Sequence, residues 1–250
     1  MAENVQLRGM ILAAFPSGEY DRRVLLLTED RGKVTGFVRG ARRPGNQLMA
    51  ASEPFVFGTF TAFQGRDAYT IVSASVENYF EEIRDDFTDA CYGGYFLEFA
   101  SYYSRENDDD REVLKLLYKT LSVLLKKLIP HKLIRCIYEL RLMSINGEGP
   151  QVFECARCGR EEALDHFSVR MRGTLCSSCL NEAKGRVDDI SPLVRYTMQY
   201  IISSDLEKLY SFSVPDEAVS ELSGIMDRYR AAVTDKEFKS LEILESIGLK

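Results

Sequence analysis

The spacing of apolar residues changes near residue 80 of this 250-residue chain, from a period of two to a period between three and four. Before that point, five short segments either alternate apolar and polar residues or form apolar runs: 5–14, 22–29, 33–39, 54–63 and 68–76. Turn-forming residues separate them, as expected for antiparallel strands. Five such strands predict a small Greek-key barrel of the OB kind, although a small open sheet or an SH3-like barrel would give the same pattern.

After residue 86 the pattern is helical. Cys91, Tyr95, Phe99 and Tyr102 recur at helical spacing and predict a buried, mostly aromatic stripe. The next helix, stopped by Pro130, is predicted to bury one face of leucines and to expose lysines on the opposite face. The leucines are Leu114, Leu117, Leu121, Leu124 and Leu128, and the lysines are Lys115, Lys119 and Lys126. Further helices are predicted over 131–145, after Ser191 and Pro192, around 219–229 and over about 236–247.

Four of the six cysteines form the pattern C-x2-C-x17-C-x2-C. They are Cys155, Cys158, Cys176 and Cys179. Each C-x2-C turn can direct two thiolates at one centre, and the spacer allows the two turns to face each other, as in a closed structural zinc site. Two disulfides or a redox-active pair fit the pattern less well, whereas an iron–sulfur cluster uses the same four ligands. We expect one structural zinc ion with no open position for catalysis.

These patterns together predict an α+β protein. An N-terminal OB-fold β-barrel is followed by an all-helical domain with an embedded four-cysteine zinc module. The predicted boundaries are residues 1–80 for the barrel, 81–250 for the helical domain and 150–187 for the insert within it.

The net charge of −6 is distributed unevenly. Residues 1–80 carry a balance of +1 and residues 81–250 a balance of −7. No acidic residue occurs within 31–52, and a second basic tract over 111–145 contains two, Glu112 and Glu139. Basic patches attract polyanions locally whatever the total charge is, although either tract alone also fits an ordinary solvated surface. The distribution therefore permits a nucleic-acid partner despite the acidic total.

Several functional classes lack support in the sequence. No apolar run is long enough to span a membrane, and the N-terminus lacks the pattern of a secretory signal. We therefore expect a cytoplasmic protein with reduced cysteines and no membrane partner. Phosphate-binding glycine loops, a nucleophile elbow and the H-E-x-x-H motif do not occur. We expect no catalytic centre and no enzymatic activity.

The predicted barrel and the insert contain a series of short motifs. In the barrel they are Gly9, Gly18-Glu19-Tyr20-Asp21, Val24, Thr28, Gly32-Lys33, Gly40-Ala41-Arg42-Arg43-Pro44 and Pro54-Phe55. In the insert they are Gly173, Leu175 and Cys176-Ser177-Ser178-Cys179. The order and spacing of the first set resemble the OB-fold of RecO, a family of bacterial recombination mediators, and the second set is similar to its zinc-bearing members. The resemblance covers essentially the full chain.

The resemblance implies a mediator of DNA repair and recombination. Such a protein binds single- and double-stranded DNA, anneals complementary strands and helps to load RecA onto strands coated by single-strand-binding protein (SSB). The implied partners are RecR, the acidic C-terminal tail of SSB and RecF, and the implied location is the nucleoid. The candidate DNA-binding residues are Arg22, Arg23, Lys33, Arg39, Arg42, Arg43, Lys115, Lys119, Lys126, Lys127, Lys132 and Arg135. Phe37, Phe55, Phe57 and Tyr69 are candidates for base stacking, although most of them are expected to be buried.

The residues themselves leave open two alternative functions and one alternative role for a candidate residue. The basic patches can dock acidic protein tails, which would make the chain a protein-interaction adaptor with little direct DNA contact. A zinc hydrolase or nuclease is also conceivable and requires an open coordination position on the metal. Finally, Arg135 is placed with Lys132 on the polar face of its helix but is four residues from Glu139, and can pair with it instead.

Overall fold

The computed structural model describes residues 4–183, 185–246 and 248. The chain divides into two compact units, residues 1–121 with 240–244 and residues 122–239 with 245–250. Within the described ranges, no helix combines the length and the apolar character that a membrane crossing requires.

Five strands of the first unit close into a barrel. They are β1 (Asn4–Ser17), β2 (Asp21–Thr28), β3 (Lys33–Val38), β4 (Phe57–Gln64) and β5 (Tyr69–Asn78). The strand order is β1-β2-β3-β5-β4, and β1 closes the barrel by pairing with both β2 and β4. The β3–β5 pairing is parallel and the other four are antiparallel. This five-stranded Greek-key barrel confirms the predicted OB-fold.

Alternation along the strands directs one apolar face into the barrel. The core includes Leu7, Ile11, Val24, Leu26, Val34, Val38, Val56, Phe60, Ala62 and Ile71. A register shift between Ile11 and Ala13 interrupts the pairing of β1 with β2, and such bulges bend a strand. The bend helps one long strand to pair along both of its edges. Between β3 and β4 lies a short helix, α1 (Leu48–Ala51), which the sequence pattern does not predict.

The first unit continues with a 3-10 turn at Glu81–Arg84, helix α2 (Phe87–Tyr103) and most of α3 (Arg111–Lys126). The predicted aromatic stripe on α2 is fully buried at Tyr95 and Phe99. Tyr118 of α3 packs edge-on against Phe57, with 4.8 Å between the ring centroids. The barrel and these helices therefore share one hydrophobic interior within the unit.

The prediction for α3 is confirmed except at its end. Leu114, Leu117, Leu121 and Leu124 are buried. The prediction that Leu128 extends this apolar face is wrong, because the helix ends at Lys126 and Leu128 is 82% exposed. Lys127 already has a positive φ of 54°, so the backbone has left the helical conformation before Pro130 is reached.

The second unit contains α4 (His131–Ile145), α5 (Pro192–Ser203) and α6 (Asp216–Val233). Residues 240–244 of the last helix, α7 (Lys239–Ser246), are assigned to the first unit and its two ends to the second. The predicted bounds of α4 are confirmed. Ser191 caps α5 as predicted, because its hydroxyl accepts a hydrogen bond from the Val194 N–H at 3.2 Å. The predicted end of the last helix at Ile247 lies outside the described residues.

Three short strands that the sequence pattern does not predict lie in the cysteine-bearing insert and directly after its predicted end at residue 187. They are β6 (His166–Ser168), β7 (Gly173–Leu175) and β8 (Asp188–Asp189), in the order β7-β6-β8. The helical region is confirmed, and the insert within it forms a small sheet that β8 completes.

Candidate metal centre and nucleic-acid interface

The four cysteines of the insert come together at one point. The sulfur atoms of Cys155, Cys158, Cys176 and Cys179 all lie within 4.8 Å of one another, so the group can hold a metal ion. Zinc bound to four thiolates has Zn–S bonds of about 2.3 Å, which places the sulfurs about 3.8 Å apart in a tetrahedron. The Cys158 and Cys176 sulfurs are 3.8 Å apart. The arrangement therefore fits a tetrahedral thiolate site.

Two tight turns and a hairpin position these ligands. In the first turn the Gly159 N–H donates to the Cys155 carbonyl at 2.9 Å, and Gly159 has a φ of +73°, which favours glycine. In the second turn the Cys179 N–H donates to the Cys176 carbonyl, also at 2.9 Å. The β6–β7 hairpin ends directly before Cys176 and brings the second turn back to the first.

Burial and hydrogen bonding distinguish the four sulfurs. Cys155, Cys176 and Cys179 are buried with Leu164 and Leu175, whereas Cys158 is exposed. Burial raises the pKa of Cys155, but backbone N–H groups, including that of Cys176, donate to its sulfur and bring the pKa down to about 6. Burial and hydrogen bonds from the other sulfurs raise the pKa of Cys179 to about 12. A divalent cation would displace the remaining thiol protons on binding.

A second candidate site is the basic loop, residues 39–46, which follows β3. Arg39, Arg42 and Arg43 in this loop are exposed. The Gly40 N–H donates to the Asp21 carboxylate at 2.8 Å, and the Arg42 N–H donates to the Tyr20 carbonyl at 2.9 Å. These bonds hold the loop against the β1–β2 turn.

The loop is also ordered from within. The Asn46 side-chain amide donates to the Gly40 carbonyl at 2.8 Å, and Gly40 has a φ of +64°. The Arg43 guanidinium lies 4.8 Å from the centroid of the Tyr20 ring. The structure thus holds three exposed guanidinium groups on a fixed backbone at one end of the barrel strands.

Two other predicted barrel residues are engaged inside the first unit. The Arg22 guanidinium is 2.7 Å from the Glu53 carboxylate and donates to the Ser52 hydroxyl at 2.9 Å, and its side chain is 14% exposed. The half-buried Lys33 ammonium donates to the Ser101 carbonyl of α2. Both cations therefore have partners within the protein. Arg23, in contrast, is exposed on the outer surface of β2.

Arg135 corrects the predicted polar face of α4, because this side chain is completely buried. Its guanidinium donates to Asp227 at 2.7 Å and to Ser223 at 2.8 Å, both on α6. Glu139 lies 3.8 Å away, which confirms the predicted pairing within the helix. Burial lowers the pKa of Arg135, but these carboxylates outweigh burial and raise it above its ordinary value. The prediction that Arg135 faces solvent is wrong because α6 supplies its partners.

The remaining predicted cations lie along α3, directly after it and at the start of α4. Lys115 is exposed and Lys119 half-buried in the first unit. Lys126 and Lys127 are exposed and Lys132 is half-buried in the second unit. Of the predicted DNA-binding residues, three thus lie exposed on the barrel loop, Arg23 lies exposed on β2, and five lie on or beside the helices α3 and α4.

The four predicted stacking candidates are mostly buried, as expected. Phe55, Phe57 and Tyr69 are between 6% and 7% exposed, and Phe37 is half-buried on the outer face. Sequence reasoning missed Phe15 and Phe63, which are 41% and 38% exposed. Period-two counting on β4 predicts that Phe63 points outward, because Phe60 and Ala62 point into the core. The same counting on β1 assigns Phe15 to the wrong face, because the bulge between Ile11 and Ala13 shifts the alternation.

Comparisons with known proteins agree with this architecture. The family model described as Recombination protein O N terminal matches residues 1–80, and that described as Recombination protein O C terminal matches residues 84–242. The DNA repair protein RecO of Acetivibrio thermocellus is 30% identical over 96% of this chain and 95% of its own length. The DNA repair protein RecO of Alkaliphilus metalliredigens is 27% identical over 97% of this chain and 99% of its own length. That of Bacillus subtilis is 26% identical over 96% of this chain and 93% of its own length. The chain therefore belongs to the RecO family of DNA repair proteins.

Proposed function

We propose that this protein is a non-enzymatic mediator of homologous recombination that binds DNA and anneals complementary strands. The observation that carries the proposal is the ordered basic loop on a closed OB barrel. OB-folds bind single strands in grooves that combine positive charge with aromatic rings. Family membership supports the finer role, in which the protein acts with RecR to load RecA onto SSB-coated single strands.

The loop is suited to phosphate because its cations are exposed and its backbone is fixed. Arg39, Arg42 and Arg43 lie in the acid-free segment 31–52, so little in their own segment competes with a polyanion. Guanidinium groups bind phosphate oxygens in paired hydrogen bonds. Phosphate contacts carry no sequence information, which fits binding to single- and double-stranded DNA alike. Because each phosphate contact displaces condensed counterions, this binding is expected to weaken as salt rises.

We also propose that the four cysteines hold one structural zinc ion. Four protein thiolates saturate a tetrahedral ion, so no position stays open for water or substrate. Bound zinc would supply folding energy to the insert and no chemistry of its own. This closed donor set supports a mediator more than a zinc hydrolase or nuclease.

The helical lysines support a second binding role. Lys115, Lys119 and Lys126 lie on the face of α3 opposite its buried leucines. Such a cationic stripe suits either a continuation of the DNA path or the acidic C-terminal tail of SSB. RecR and RecF complete the proposed partners, and the DNA partner implies a cytoplasmic, nucleoid-associated location. A titration of labelled single strands with and without an SSB-tail peptide separates the mediator from a pure protein adaptor.

Removing two loop charges tests the phosphate contacts. In Arg42→Ala/Arg43→Ala we expect weaker binding to every DNA sequence, because two phosphate contacts are lost. The slope of log affinity against log salt should become shallower by about 1.4 for single strands, at about 0.7 per contact. Fluorescence anisotropy across a salt series measures both quantities.

A matched control removes the same net charge elsewhere. Lys208 and Lys239 are exposed and lie outside both basic tracts, so Lys208→Ala/Lys239→Ala should retain the slope of the wild type. If the loop variant has the same affinity and salt slope as the wild type, the loop does not bind phosphate and the proposal fails at its main observation.

A further inference from the structure

We propose that the outer face of the barrel carries a subsite for unpaired bases, formed by the rings of Phe15, Phe37 and Phe63. The inference rests on the proposed DNA-binding function and adds the chemistry by which the barrel holds a single strand. The phosphate-binding loop and this subsite are separate groups of residues. They can therefore be tested independently.

The three rings belong to one row across the sheet. Phe15, Arg23, Phe37, Thr70 and Phe63 are successive cross-strand partners on β1, β2, β3, β5 and β4. Directly opposed residues point to the same face of a sheet. Neighbouring strands lie about 4.8 Å apart, so the row follows a path of about 19 Å along the curved outer surface of the closed barrel, which is long enough for several nucleotides.

The residues beside the row establish that it faces outward. Ala14, Val24, Val38, Ile71 and Ala62 each adjoin a member of the row in sequence and belong to or pack against the barrel core. Since successive side chains alternate between the two faces, the members of the row point away from the core. Their exposure agrees, because Phe15 and Phe63 are 41% and 38% exposed.

The positive charge of Arg23 among the rings favours a single-stranded nucleic acid as the partner of the row. The Arg23 guanidinium lies 5.0 Å from the centroid of the Phe15 ring and, in register, between Phe15 and Phe37. The row contains no carboxylate, and β3 continues from Phe37 to Arg39 of the basic loop within two residues. Rings alternating with a cation match a polymer in which flat bases alternate with phosphates. An apolar peptide would gain nothing from the arginine.

The same chemistry predicts a preference between nucleic acids. A phenylalanine ring stacks on the flat face of a base, and every base presents such a face regardless of sequence. In a duplex these faces are covered by the neighbouring base pairs. The subsite should therefore add affinity for single strands and none for duplex DNA, whereas the basic loop serves both.

The test compares Phe15→Ala/Phe63→Ala with the wild type on three probes of equal length. These are oligothymidine, a strand of abasic nucleotides and a DNA duplex. We expect affinity for oligothymidine to fall about 25-fold, at about 5-fold or more for each lost stacking contact. Affinity for the abasic strand and the duplex should stay within about twofold, because the phosphate contacts are intact.

Three further variants separate stacking from packing. Phe15→Tyr/Phe63→Tyr retains both rings and should bind oligothymidine like the wild type, whereas Phe15→Leu/Phe63→Leu retains apolar surface and should bind like the alanine variant. Phe87→Ala is the matched control, because Phe87 is 67% exposed but lies on α2 outside the row. Thermal unfolding checks every variant, and the Tyr and Leu pair decides the question if the alanine variant does not fold.

Each contrary result has a distinct meaning. An unchanged affinity of the alanine and leucine variants for oligothymidine overturns the subsite. An equal loss on all three probes also overturns it, since the rings would then act by maintaining the barrel. An acidic peptide is titrated as a fourth probe, and loss of its binding with unchanged strand binding would overturn the base subsite and assign the row to a protein partner. Failure of the DNA-binding proposal itself looks different, because the Arg42→Ala/Arg43→Ala variant would then bind all three probes like the wild type.

Discussion

Replacing Cys176 with serine is expected to abolish stoichiometric zinc binding and to unfold the insert. Cys176 is 1% exposed, follows β7 directly and lies 3.8 Å from the Cys158 sulfur, so its loss removes a central ligand. Structural zinc sites contribute about 10 to 16 kcal/mol of apparent binding free energy, which far exceeds what the small core of the insert can supply. Zinc content should fall from about one ion per chain to near zero. Limited proteolysis should then cut within residues 150–187.

Cys91→Ser provides the control for this variant. Cys91 is half-buried on α2 and is not one of the four clustered cysteines, so this variant should retain the zinc ion and the protease resistance. A Cys176→Ser protein that still holds one tightly bound zinc per chain would contradict the four-thiolate site. If the purified wild type contains iron and absorbs visible light, the four cysteines hold an iron–sulfur cluster instead of zinc.

Truncating Arg135 is expected to produce the largest loss of stability among the basic residues. Arg135→Ala removes the cation closest to the partly buried Asp227 and a neighbour of Glu139, which is 0% exposed, and leaves both carboxylates with Arg230 at 3.6 and 3.5 Å. Breaking a buried ion pair by removing one partner costs about 3 to 5 kcal/mol in the free energy of unfolding. Urea denaturation followed by circular dichroism measures this quantity.

Lys132→Ala is the matched control for stability, because Lys132 is half-buried one turn earlier on the same helix. Its free energy of unfolding should change by at most about 0.5 kcal/mol. The double variant Arg135→Ala/Asp227→Ala should be less destabilised than the sum of the single variants, since the two groups share a contact. If Arg135→Ala leaves stability unchanged but makes the salt dependence of DNA binding shallower, Arg135 is a surface DNA contact and its burial is refuted.

Local patterns predicted the elements well because their causes are local. Period-two alternation and short apolar runs identified all five barrel strands, and Ser191 with Pro192 identified the start of α5. The cysteine spacing identified the four residues that can hold a metal ion, because a chelating turn is encoded within four residues. The closed order β1-β2-β3-β5-β4 depends on pairings between distant strands, which the alternation alone left open among an OB barrel, an SH3-like barrel and an open sheet.

The sequence was least informative where a side chain has a distant partner. Arg135 binds Asp227, 92 positions away, and Arg22 binds Glu53, so neither burial follows from helix or strand periodicity. Phe15 was hidden for a different reason. The bulge between Ile11 and Ala13 reverses the parity of β1, so counting from Ile11 assigns Phe15 to the core although it lies outside.

The most direct test of the account is the rate at which complementary strands anneal, measured on naked and on SSB-coated DNA. A fluorescence-quenching assay should show that the wild type accelerates annealing on both substrates. The Arg42→Ala/Arg43→Ala variant should lose most of this acceleration on both, because the strands are held through the basic loop. An annealing rate equal to the spontaneous rate with the wild type, or full acceleration by the loop variant, would contradict the claim that this barrel mediates strand annealing.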